Sequence, residues 1–199
     1  MAIYTRTRVV RLRIPIATAG ALAALMPAGC NAAETSGFTA SGSTATVTTS
    51  AITFSYPADW SRTAWDSRGS FTYMVAAVSN RTLKSPCVVS LMYSSCGAPV
   101  ATLAPATLLV EWWENGFPSW NFADQPGVAF KLDGLDAKMQ DPADMSQVCK
   151  QIGADSAIQV LIDRGTANYF AFQACFKGPG IEAERSEAQA ILHSAHFKR

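Results

Sequence analysis

Ala157-Ile158-Gln159-Val160-Leu161-Ile162-Asp163, the connection Arg164-Gly165-Thr166-Ala167-Asn168, and Tyr169-Phe170-Ala171-Phe172-Gln173-Ala174-Cys175-Phe176 together decide the fold reading. Two runs rich in β-branched and aromatic residues, joined by five residues that include a glycine, read as an antiparallel hairpin. Side chains alternate across a strand, so Phe170, Phe172, Ala174 and Phe176 share one face, and Tyr169, Ala171, Gln173 and Cys175 share the other. One strand therefore offers a whole row of rings to a core.

Working outward, Phe130 to Met139 holds Asp133-Gly134 at its centre, a dipeptide that accepts the positive φ of a two-residue turn, and predicts a second hairpin. Leu108 to Trp113 reads as a strand bounded by Pro105 and by Asn115-Gly116 and Pro118, with a helix from Pro105 to Gly116 as the competing reading. Val88 to Tyr93 and Phe71 to Val78 are further strand candidates, the latter with Phe71, Tyr73 and Val75 on one face. Ile52, Phe54 and Tyr56 alternate with small or hydroxyl residues until Pro57, which has no N–H to donate. Downstream, Ile181 to Ser194 carries Glu182, Glu184 and Glu187 early and Ala188, Ile191 and Leu192 later, an acidic helix start followed by a buried stripe. Strands in succession with one strong late helix predict an α+β domain, an antiparallel β-sheet with few covering helices.

Phe54-Ser55-Tyr56-Pro57-Ala58-Asp59-Trp60 resembles the F-x-Y-P-x-x-W opening of domains of the Mog1/PsbP-like fold. Gly134-Leu135-Asp136-Ala137 is similar to their central G-h-P-A turn, with Asp136 in place of Pro. Tyr169 to Phe176, the following helix and Ser194-Ala195-His196-Phe197 resemble their closing segment. The resemblance spans Ala51 to Phe197 and implies an accessory or binding protein rather than an enzyme. Fold alone does not fix function.

The chain opens with Arg6, Arg8, Arg11 and Arg13, continues with the uncharged run Ile14 to Gly29, and reaches Ala28-Gly29-Cys30. Charge, then an apolar run, then small residues is the order of an export signal. It resembles a bacterial lipoprotein signal spanning residues 1–29, which implies a diacylglycerol on Cys30 and a position on the outer face of the bacterial cell membrane. The alternatives are cleavage without lipid, or a retained helix, for which 16 uncharged residues fall short of the roughly 20 that span hydrocarbon. Residues 30–50, dominated by Thr, Ser, Gly and Ala, are expected to be a tether, and 51–199 a single domain. Signal, tether and cysteine placement together resemble a group of uncharacterised actinobacterial lipoproteins.

Removing the signal leaves 12 basic side chains against 15 acidic ones, a net charge of −3. Such a domain has no basic footprint for nucleic acid and no polybasic patch for a membrane surface. With Cys30 assigned to lipid, Cys87, Cys96, Cys149 and Cys175 remain. Four cysteines allow three connectivities, of which Cys87–Cys96 and Cys149–Cys175, the latter tying two strands, are favoured in an oxidising compartment.

The sequence carries no G-x-S-x-G, H-E-x-x-H, phosphate-cradling glycine loop or dinucleotide fingerprint. His193 and His196 stand near the end of the last helix without a third ligand close in sequence. No C-x-x-C marks a zinc site, and Asp133/Asp136 and Asp141/Asp144 lack calcium-loop spacing. No metal or cofactor is expected. The run Trp112-Trp113-Glu114-Asn115-Gly116-Phe117-Pro118-Ser119-Trp120-Asn121-Phe122 stands out, five of its eleven residues being aromatic. Trp113, Phe117 and Trp120 are candidate binding residues for a sugar, a small apolar ligand or an envelope protein, because rigid rings bury much area for little lost entropy. Packing of these rings in the core or over a sheet edge is the competing reading. The expected function is a lipid-anchored binding or accessory role in the cell envelope, the alternatives being an enzyme acting on cell-wall material or a structural component.

Overall fold

In the computed structural model, which describes residues 42–65, 71–84, 87–89, 94–165 and 167–198, the hairpin marked by the sequence lies inside a seven-stranded antiparallel sheet. The elements in chain order are β1 (Thr44–Thr48), β2 (Ile52–Pro57), β3 (Ser61–Trp65), β4 (Thr72–Ser79), β5 (Cys87–Val89), β6 (Ser94–Cys96), β7 (Thr107–Gly116), β8 (Val128–Leu132), β9 (Leu135–Met139), α1 (Gln147–Gln151), β10 (Ser156–Asp163), β11 (Asn168–Lys177), α2 (Ile181–His193) and β12 (His196–Phe197). The large sheet has the order β3-β4-β7-β11-β10-β9-β8, and a smaller one the order β1-β2-β12. The α+β class stands, as a mainly antiparallel sheet protein with few helices.

β10 and β11 pair from Ser156 opposite Phe176 to Asp163 opposite Tyr169. β11 then pairs with β7 over its full length, Asn168 opposite Gly116 to Lys177 opposite Thr107. The 107–116 run is thus a central strand and not a helix: flanked on both sides by partners, it satisfies its backbone groups through the ladder. At the β8–β9 turn Asp133 and Gly134 have φ of 49° and 82°, the paired positive values of a type I′ hairpin.

The first face of the large sheet carries the main core. Phe170, Phe172, Ala174 and Phe176 meet Val110 and Trp112 of β7, Ala188, Ile191 and Leu192 of α2, and Ile52, Phe54 and Tyr56 of β2. The small sheet is fastened there by one hydroxyl: Ser194 Oγ accepts the N–H of Ser55 at 2.9 Å and donates to Ile191 O at 2.7 Å. The second face holds a smaller cluster of Met74, Ala77, Leu103, Leu109, Cys149, Ile152, Ala157 and Cys175. A β-bulge between Met74 and Ala76 resets the alternation of β4, so Val75 and Ala76 both serve the main core. Phe71, expected to share a face with Tyr73 and Val75, lies just outside β4 and is 61% exposed.

Three expectations change. The tether does not reach residue 50, because Thr44–Thr48 pairs with β2 along its length. A single buried side chain, Val47, suffices once β-branched threonines are added to an existing strand; Cys30 and residues 31–41 lie outside the described residues. The strand expected at 88–93 is instead the β5–β6 ladder, with 90–93 outside the described residues. Cys149 stands on the short helix α1 rather than on a strand.

Candidate functional site

The aromatic run after β7 divides by strand alternation. Trp112 points into the main core and is fully buried, its ring 5.7 Å from Phe54 and 4.9 Å from Phe172. Trp113, next along, turns to the second face and packs half-buried against the smaller cluster. Beyond the strand, Phe117 and Trp120 come together around a ring from elsewhere in the sequence. Tyr169 of β11 stacks on Trp120 at 4.1 Å and lies 6.5 Å from Phe117. Phe71 extends the row, 5.8 Å from Phe117, and Phe122 closes the other end, 6.0 Å from Trp120.

The result is a strip of five rings, Phe71, Phe117, Tyr169, Trp120 and Phe122, drawn from three separate segments of the chain. Its placement is built into the backbone. Gly116 N–H donates to Phe71 O at 2.7 Å, holding Phe71 beside the end of β7, and Trp120 N–H returns to Phe117 O at 2.9 Å across Pro118. Lys138 of β9 donates to the carbonyls of Phe122, Ala123 and Gln125 at 2.9, 3.0 and 2.7 Å, with its ammonium 4.9 Å from the Phe122 ring centre. Asn121 and Asp124 bond to each other at 2.8 Å within the same loop. Lysine therefore acts as the clasp of the loop. Sequence reading missed it because a lone Lys in a strand has no local signature.

Beneath Trp113 lies the most perturbed acid of the described residues. Glu111, on the central strand β7, is fully buried, receives Gln173 Nε2–H at 2.9 Å and Trp113 Nε1–H at 3.4 Å on one oxygen, and has no partner on the other among the described residues. Burial raises its pKa from 4.5 to about 7, the two donors opposing that rise only in part. The folded state thus holds this proton more tightly than the unfolded chain, so stability falls as pH rises from about 4.5 to about 7 and levels off above. The loss amounts to roughly 3 kcal/mol, since one pKa unit is about 1.4 kcal/mol. Glu111→Gln is expected to flatten this part of the profile and to exceed the parent in stability at pH 8. Urea denaturation at pH 5, 6, 7 and 8 reads the difference, and parallel profiles for parent and variant would refute it.

The other candidates separate. His193 is exposed on the last turn of α2. His196 Nδ1 lies 3.2 Å from Asp133 Oδ1 on an exposed surface, and the other oxygen of Asp133 accepts Phe197 N–H at 2.7 Å. That carboxylate anchors β12 to the β8–β9 turn. Asp136 pairs with Lys131 at 2.8 Å in solvent. Among the described residues, no group of three or more His, Cys, Asp or Glu is placed to hold a metal ion. Cys149 and Cys175 form a disulfide with Cα atoms 5.4 Å apart. Cys87 stands directly opposite Cys96 in the β5–β6 register; their side chains lie outside the described residues. Among the described residues no helix is long and apolar enough to cross a membrane. Compared with known proteins, the chain matches no family model, no curated protein and no solved structure.

Proposed function

We propose that this chain is a lipid-anchored extracytoplasmic protein of Mog1/PsbP-like fold, with a non-enzymatic binding or accessory role in the cell envelope and the five-ring strip as its recognition surface. The observation that carries the reading is the strip itself: Phe71 and Phe117 remain 61% and 37% exposed although the same chain buries rings of equal size on the other face of the sheet. Aromatic rings left in solvent at one site, fixed by a clasped loop, suit recognition better than packing. The anchor rests on the basic, apolar and small-residue order of residues 1–30.

Two measurements test the two halves of the proposal. Labelling with a radioactive fatty acid is expected to mark the wild-type chain and to fail for Cys30→Ser, which is then shed from the membrane fraction. Unlabelled wild-type protein free in the medium would end the anchor reading. For the surface, the Cys30→Ser chain, which carries no lipid, is expected to be retained on isolated cell envelopes stripped of membrane, and the same chain also carrying Phe71→Ala and Phe117→Ala to lose that retention while keeping its parent's melting temperature, because both rings are at the surface. Retention equal to that of the parent would end the strip as the recognition surface.

A further inference from the structure

We infer that the strip receives an uncharged glycan chain lying across the strands; this rests on the recognition-surface reading above and adds the class of ligand. Successive ring centres are 5.8, 6.5, 4.1 and 6.0 Å apart, and the row runs from the end of β4, over β7 and β11, to the loop clasped by β9. An elongated ligand can touch all of it, whereas a compact one touches a part.

The ammonium of Lys138 lies 4.9 Å from the Phe122 ring centre, and three backbone carbonyls take its three donors. The guanidinium of Arg164, five residues before Tyr169, is bound to Glu114 at 2.5 Å and lies against Phe170, a ring of the main core, and Arg68, three residues before Phe71, lies outside the described residues. Acidic groups, by contrast, are present at the rim, with Asp124 exposed on the loop and Asp163 opposite Tyr169 in the ladder. Among the described residues this arrangement offers no free counter-charge to a phosphate-bearing polymer or an anionic lipid headgroup.

Phe71 and Phe117 are open to solvent, while Tyr169, Trp120 and Phe122 are half-buried. An acyl chain gains little on so open a surface, since its benefit comes from enclosure away from water. A pyranose ring is amphipathic: one C–H face lies on an aromatic ring while its hydroxyls stay hydrated or reach the amides of the loop. Asn121, exposed, and Gln125, half-buried, bring such amides beside Trp120 and Phe122 and keep their remaining hydrogen-bonding capacity for a ligand, since within the loop Asn121 donates to Asp124 and accepts from Ala123 N–H and Gln125 donates to the Asn121 carbonyl.

Isothermal titration of the full-length protein tests this, using cellohexaose, maltohexaose and chitohexaose as uncharged probes, with hexametaphosphate and phosphatidylcholine vesicles as the competing classes. At least one hexasaccharide is expected to bind, about tenfold more tightly than its own disaccharide because it spans several rings. Phe117→Ala and Trp120→Ala are each expected to weaken it by about tenfold, whereas Val128→Ala, exposed but outside the strip, leaves it unchanged. Thermal melts of the same samples establish folding, and Phe71→Ala stands in if Trp120→Ala does not fold. Ring-dependent binding of the vesicles or of hexametaphosphate, with no heat from the three hexasaccharides, would overturn the glycan assignment. The two readings fail separately: ring-dependent retention on envelopes without hexasaccharide binding sinks only the glycan, whereas ring-independent retention sinks the recognition surface itself.

Discussion

Trp112→Ala is expected to lower the free energy of unfolding by about 3–5 kcal/mol, the range for removing a large ring from a core. Trp112 has no accessible surface and stands between the two sheets, with Phe54 of β2 at 5.7 Å, Phe172 of β11 at 4.9 Å and Phe197 of β12 at 6.1 Å. Removing it opens a void at the junction of three elements, and the small sheet loses the ring on which two of its strands rest. Among the described residues its indole N–H has no hydrogen-bond partner, so Trp112→Phe breaks no polar contact and is expected to lose less than half as much. Phe117→Ala, five residues along and partly exposed, is expected to shift stability by no more than about 0.5 kcal/mol. Guanidinium unfolding of the three variants reads all of this at once. A Trp112→Ala protein as stable as the parent would mean that the main core does not depend on this ring.

The contrast between Trp112 and Phe117 shows what a sequence displays and what it does not. Alternation along 108–113 and 169–176 is a local property, so the central strands and the division of Phe170, Phe172, Ala174 and Phe176 from Tyr169 and Cys175 were legible. The Asp133-Gly134 turn was legible for the same reason, its chemistry lying within two residues. β1 and β3 were not, because threonine- and serine-rich segments gain their order from the strand they join rather than from their own burial. α1, five residues long, is too short to stand by propensity and is held by its bridge. Within the strip, Phe117 and Trp120 were legible as a cluster in sequence. Tyr169, Phe71 and Lys138 were not, since they arrive through pairings across 40 or more residues or through a loop folding back on the sheet. Glu111 hid inside an apolar run, where nothing marks whether a lone acid faces water or a core.

Loss of the Cys149–Cys175 bridge is the other large effect expected. The bridge closes a segment with a sequence separation of 26, and in the chain-entropy picture a loop of that length restrains the unfolded chain by about 3.5 kcal/mol. Its importance is greatest on the second face, where the apolar cluster is small and the cover includes the single turn and a half of α1. Besides the bridge, α1 is held by Ser146 Oγ, which accepts Cys149 N–H at 3.2 Å, and by Leu103 N–H, which donates to Ile152 O at 2.8 Å. Both cysteines are fully buried, so reductant in native buffer is expected to act slowly, and the double substitution Cys149→Ala with Cys175→Ala is the cleaner probe. It replaces both sulfurs by small apolar groups and leaves no thiol stranded in the core. The variant is expected to unfold at markedly lower denaturant than the parent, and its amides from Gln147 to Ala154 are expected to exchange hydrogen well before those of β7 and β11, because the weakest cooperative unit opens first. Gln173 lies 3.7 Å from Cys175 Sγ and bonds to Glu111, so loosening this face is also expected to admit water to Glu111 and lower its pKa from about 7 towards the ordinary carboxylate range. A double variant that matches the parent in stability, in exchange around α1 and in pH profile would show that the second face holds without its bridge.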